Sequence, residues 1–172
     1  MPAPPDVAIR PARGDDAPRV HELHTVSVRT LCAGHYTADV IDGWLAQRGP
    51  ADYRRPIERG DLFVAERRGE VVGFGEATPG RILAIYVDPA AARQGVGQAL
   101  LRHAIGRAGA GPVRLEATLN ARAFYARHGF VELARFTIRR NLVDVPVVFM
   151  ELGAAPRRGS SPPAAGVCCR PS

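Results

Sequence analysis

The stretch IYVDPAAARQGVGQALL, residues 85–101, places Gly95 and Gly97 where a strand-like run gives way to an amphipathic helical run. That arrangement suits a diphosphate. The first turn of a helix leaves several amide hydrogens unpaired at the positive end of the helix dipole. Glycine lets that backbone approach an anion with no Cβ in the way, and Arg93 adds charge. The same residues also describe a glycine-relaxed helix start, and spacing alone does not separate the two readings. The dinucleotide fingerprint is excluded: its third glycine would fall at Leu100, and no acid follows about 20 residues on.

A second stretch, LEATLNARAFYARHGF (115–130), carries Glu116 on a strand, Asn120 at a helix start, the pair Phe124-Tyr125 within that helix, and Gly129 as its stop. Read by itself, Tyr125 beside Phe124 could simply pack in a core. Other chemistry-bearing residues are weaker. His21 and His24 lie three apart on one helical face, a spacing a metal could use, but no third ligand is secured, so no metal is expected. Cys32 reads as a small buried residue, and Cys168 and Cys169 as incidental, too few for a disulfide framework.

These residues sit in a chain of 172 residues with a net charge of +6, and all 23 basic residues are arginine. Such uniformity, beside many Ala, Gly and Pro residues, reads as composition bias rather than a phosphate-binding stripe, so no nucleic-acid partner is expected. No apolar run is long enough for a bilayer span. The opening MPAPPDVAIR lacks the basic flank and apolar stretch of a secretory signal, so a cytoplasmic location is expected. One domain is expected over 1–152. The Pro-, Gly- and Ala-rich residues 153–172 read as a disordered tail.

The elements that must position the chemistry follow from apolar period. Strands are predicted over 7–13, 62–67, 71–77, 82–87, 113–118, 131–140 and 145–151. Helices are predicted over 15–31, 37–47, 95–107 and 120–128. In the first, Val20, Leu23, Val28 and Leu31 form an apolar face; in the second, Val40, Ile41, Trp44 and Leu45 do so. The order β-α-α-β-β-β-α-β-α-β-β is neither a plain βαβ repeat nor all-β. It predicts an α/β chain with a mixed sheet of about seven strands and helices on its faces.

With both motifs at this separation, residues 7–152 resemble the GCN5-related N-acetyltransferase (GNAT) superfamily. The V-x-P strand end, the G-x-G helix start and the Asn-anchored helix with F-Y and G-F carry the resemblance. The opening SVRTLCAGHY and the later IDGW are similar to a small bacterial subgroup. The resemblance implies two central parallel strands that splay to admit the pantetheine arm of acetyl-CoA. Backbone groups around Ile85, Tyr86 and Val87 would meet that arm. Amides of Arg93, Gln94, Gly95, Val96, Gly97 and Gln98 would hold the pyrophosphate, and Asn120 and Phe124 would flank the arm. Ala92 departs from the Gln or Arg that many members carry there, which removes one side-chain contact.

The same resemblance implies acetyl transfer to an amine of a small molecule or peptide, with Tyr125 as general acid. Arg81 and Leu83 occupy the positions where several relatives carry a base, so Glu116 and Glu76 become the candidates. His35, Tyr36 and Trp44 would shape the acceptor pocket, and two copies could pair as a homodimer. An acyl-CoA-binding regulatory module with little turnover is the alternative reading.

Overall fold

The computed structural model describes residues 6–153. Among these, strands β1 (Val7–Pro11), β2 (Leu62–Arg67), β3 (Glu70–Thr78), β4 (Arg81–Val87), β5 (Val113–Thr118), β6 (Val131–Arg140) and β7 (Val143–Leu152) form one sheet in the order β1-β2-β3-β4-β5-β7-β6. Every neighbouring pair is antiparallel except β4 and β5, which run parallel. The expected mixed sheet with flanking helices is the fold found.

Helices cover both faces. α1 (Ala17–Leu31) has a proline in its first turn, where a missing N–H costs nothing, and buries Val20, Leu23 and Val28. α2 (Ala38–Leu45) is capped by Thr37, whose hydroxyl accepts from the Val40 amide, and it buries Ile41, Trp44 and Leu45. These two pack on one face, over Phe74 of β3 and Val145 and Val147 of β7. On the other face α4 (Val96–Ala108) lays Val96, Leu100, Leu101 and Ala104 on Phe63, Leu115, Val148 and Met150. Gly75 of β3 makes room there: a Cβ on it would come within 2.5 Å of the Phe63 ring. The short α5 (Arg122–Arg127) leads from β5 into β6.

Two departures from expectation concern connections. No element is predicted over 50–58, where the structure has a 3-10 turn, Pro50–Tyr53, and a five-residue helix α3, Arg54–Glu58. Neither has an apolar period. Tyr53 is buried against α1, and its hydroxyl pairs with His24 Nδ1 at 2.6 Å, so a contact 29 residues away holds the segment. The helix expected from residue 120 starts at Arg122, because Asn120 and Ala121 belong to a turn closed by the Ala121 amide on the Thr118 carbonyl. The expected tail lies outside the described residues apart from Gly153.

One irregularity of the sheet matters for chemistry. β4 and β5 pair only at Arg81 with Arg114 and Ile82 with Leu115, and beyond Ile82 the two strands part.

Candidate active site

The gap between β4 and β5 opens into a cleft lined by Ala84, Ile85 and Tyr86 on one side, by Glu116 and Thr118 on the other, and by Tyr125, Trp44 and Arg140 around its rim. Strand alternation explains which β4 side chains go where. Ile85 and Val87 face α4, whereas Ala84 and Tyr86 face α1.

The loop from β4 to α4 carries the anion-binding geometry. Arg93 (φ 61°) and Gly95 (φ 83°) are both left-handed, a backbone pattern typical of anion nests. Among the described residues, no amide of 93–98 donates a hydrogen bond of good geometry within the fold; the first helical bond is Ala99 N to the Gly95 carbonyl. Six successive donors are thus available. Gln94 contributes its backbone alone, because its side chain donates to the Ala90 carbonyl and accepts from Arg67. Gly97 faces the gap: a Cβ on it would lie 3.6 Å from the Phe124 ring and 3.7 Å from Val87. The Phe124 ring in turn stands 5.2 Å from that of Tyr125, so the nest and the cleft are neighbours.

Tyr125 is buried and packs edge-on to Phe130. Burial, with a smaller contribution from Tyr86, pushes its phenol well above the usual tyrosine pKa. No group among the described residues hydrogen-bonds its hydroxyl, and that hydroxyl is not among the sealed, unpaired polar atoms. It therefore opens toward the cleft. Tyr86, whose phenol burial pushes up to about 12, stacks on Phe74 at 5.3 Å and against His24 at 4.3 Å. Sequence reasoning valued Tyr86 for its backbone. Its side chain on the acceptor face was legible in the alternation with Ile85 and Val87.

The two candidate carboxylates part company. Glu116 lines the cleft, 3.5 Å from Arg81 and 3.8 Å from Arg140. Glu76 sits one strand away, paired with Ala84 in register, and is not among the cleft-lining residues. Its pKa is raised by burial against the pull of Arg59, 4.0 Å away.

The expected acceptor residues also divide. Trp44 lines the cleft. His35 is exposed and is not brought to it. Tyr36 has a structural task instead: its hydroxyl donates to the Pro146 carbonyl at 2.7 Å and accepts from the Leu119 amide at 2.9 Å. Asn120 accepts from the Cys32 thiol at 3.3 Å through Oδ1, leaving its amide nitrogen without a partner among the described residues. Burial lifts the Cys32 thiol to about 11, so it stays protonated and is no nucleophile. No cluster of three His, Cys, Asp or Glu side chains that could hold a metal occurs among the described residues. No helix among them is long and apolar enough to cross a membrane.

A sequence profile described as an acetyltransferase (GNAT) domain matches residues 58–132, which hold β2 to α5 and therefore both the nest and Tyr125. Over that span the chain is similar to the GCN5-related N-acetyltransferase superfamily. Its relatives include an uncharacterised N-acetyltransferase, YafP, from Escherichia coli K12, 26% identical over 125 residues that make up 73% of this chain and 81% of that protein. A GNAT structure from Rhodopseudomonas palustris superposes with a TM-score of 0.81 at 26% identity, covering 88% of this chain and 98% of the other. The PaiA N-acetyltransferase of Thermoplasma acidophilum, solved in complex with coenzyme A, shares the GNAT fold with a TM-score of 0.68 at 19% identity, over 85% of this chain and 98% of its own.

Proposed function

We propose that this chain transfers the acetyl group of acetyl-CoA directly to an amine of a small molecule or peptide, with Tyr125 as the general acid. The observation that carries the reading is a neutral, unpartnered phenol opening into the cleft where β4 and β5 part, next to six free amides.

Each part of the donor has residues of suitable chemistry. The amides of 93–98 and the positive end of α4 suit the diphosphate. The β5-facing backbone of β4 around Ile85 and Val87, unpaired beyond Ile82, suits the amides of the pantetheine arm. The Asn120 amide nitrogen and the Phe124 ring flank the same path. Acetyl-CoA bound there supplies an activated acyl group.

The remaining work is proton management. The attacking amine must be neutral, and Glu116 is placed to take its proton directly or through one water. Negative charge developing on the thioester oxygen is met by backbone amides of the parted strand. The departing thiolate needs a proton, and Tyr125 supplies it. Burial keeps that phenol protonated throughout the working pH range, as a proton donor requires. No acyl-enzyme is needed.

Tyr125→Phe tests the assignment. Thiol release from acetyl-CoA should slow by about 10²-fold, the usual scale for a lost general acid, while donor affinity by calorimetry stays near its original value. A turnover rate that hardly changes would mean that water delivers the proton and that the role given to Tyr125 is wrong.

A further inference from the structure

Several guanidiniums of this chain are engaged in short, hydrogen-bonded ion pairs. Arg10 with Asp16 and Glu66, Arg19 with Asp88, Arg67 with Asp6 and Arg114 with Glu151 all lie at 2.6–2.8 Å. The pairing at the cleft is looser. Glu116 is its one lining carboxylate among the described residues, and it is shared loosely between two cations. Arg81 stands 3.5 Å from one oxygen and Arg140 3.8 Å from the other. Among the described residues neither guanidinium donates a hydrogen bond, although the Arg140 side chain is only 30% exposed.

Arg48 adds to the surplus. It follows α2 and keeps its Nε buried with no partner. Arg48 and Arg140 both bear electrostatically on His24, Glu76 and Tyr86, and Arg140 lines the cleft. Buried donors left unpaired are costly, so a cluster of idle guanidinium hydrogens beside an apolar wall favours an anion arriving from outside.

The spacing narrows the class. Cation and anion stand 3.8 Å apart without a hydrogen bond. A small zwitterion whose amine and acid are two or three bonds apart matches that spacing and can lie alongside the pair, its amine against the carboxylate and its oxyanion against the guanidinium. Its amine then lies at Glu116, in the cleft that Tyr125 also lines, and its oxyanion lies on the fork of Arg140.

We infer that the acceptor is an amine carrying a nearby oxyanion, a free amino acid or an aminophosphonate, whose anionic end docks on Arg140. The inference rests on the acetyl-transfer reading and adds the substrate class to it.

The test uses the purified full chain and acetyl-CoA with the twenty amino acids, the α-amide of each, and aminomethylphosphonate, read as thiol release. At least one free acid should exceed its own amide about 10-fold or more in kcat/KM, and Arg140→Gln should lower that acid by about 10- to 100-fold, chiefly through KM. Arg140→Lys, which keeps the charge and loses the fork, should recover part of the preference; circular dichroism confirms that each variant folds. Turnover of the phosphonate in place of the carboxylates identifies the oxyanion as phosphate-like. Amides equal to or better than acids overturn the inference while acetyl transfer stands. Should no amine turn over, calorimetric titration of the amino acids onto the CoA-loaded protein decides. Arg140-dependent binding then keeps the docking site and removes the enzyme reading, whereas no binding removes the inference.

Discussion

Replacing Gly97 with leucine separates donor binding from folding, because the two should respond with opposite signs. Gly97 lies in the first turn of α4 and is not left-handed. A Cβ there would meet Phe124 at 3.6 Å and Val87 at 3.7 Å, ordinary contact distances, so the first added carbon fits without any shift. Leucine or alanine in place of helical glycine stabilises by about 0.5–1 kcal/mol, or some 1–4 °C in Tm for a chain of this size. The outer carbons of leucine must instead enter the gap between Val87 and Phe124, in front of the nest. A hydrogen bond to a charged oxygen contributes about 1.5–3 kcal/mol, so losing two of the six nest amides costs roughly 3–6 kcal/mol, or 10²- to 10⁴-fold in Kd. Titration calorimetry with acetyl-CoA and a thermal melt read the two effects separately. An unchanged Kd would refute the nest. A Tm lower by ten degrees or more would show that Gly97 is there for packing.

Two further perturbations probe the scaffold. Tyr36→Phe strands the Leu119 amide and the Pro146 carbonyl, costing about 1–3 kcal/mol, so Tm should drop by several degrees and turnover should fall with it, since Leu119 opens the turn into α5. A Tm unchanged to within a degree would count against that bridge. His24 is held neutral by burial first and then by Arg48 and Arg140, so its folded pKa lies below the ordinary 6.5. As pH falls below that value the unfolded chain takes up a proton that the folded one refuses, and stability should decline by up to about 1.4 kcal/mol per pH unit until the folded pKa is reached. His24→Phe should flatten this acid limb in denaturant titrations; an identical limb in the variant would point to another group.

Much of the fold could be read from the chain because its elements are locally consistent. β5 and β6 have the bounds that the alternation of apolar residues predicts, and α4 begins one residue from its glycine signal. The segment 50–58 escaped notice because its order comes from Tyr53 reaching His24, a tertiary contact with no periodic trace. Likewise the nest and Tyr125 were legible as contiguous motifs. Arg140 was not, since it closes a strand and only the packed sheet brings it to the cleft. Glu76 and Glu116 looked equivalent as strand acids. The register, which sets Glu76 opposite Ala84 on the far side of β4, distinguishes them.

The two register pairs that join β4 to β5 leave a seam through the middle of the sheet. On one side stand four strands clamped by α1 and α4, and on the other three strands carrying α5. A guest lying along that seam acts as a missing ladder, stitching the halves by main-chain bonds that neither can form alone. Amide hydrogens on both flanks should then exchange more slowly together once it is in place, so loading at the diphosphate end also stiffens the wall where the second substrate must land.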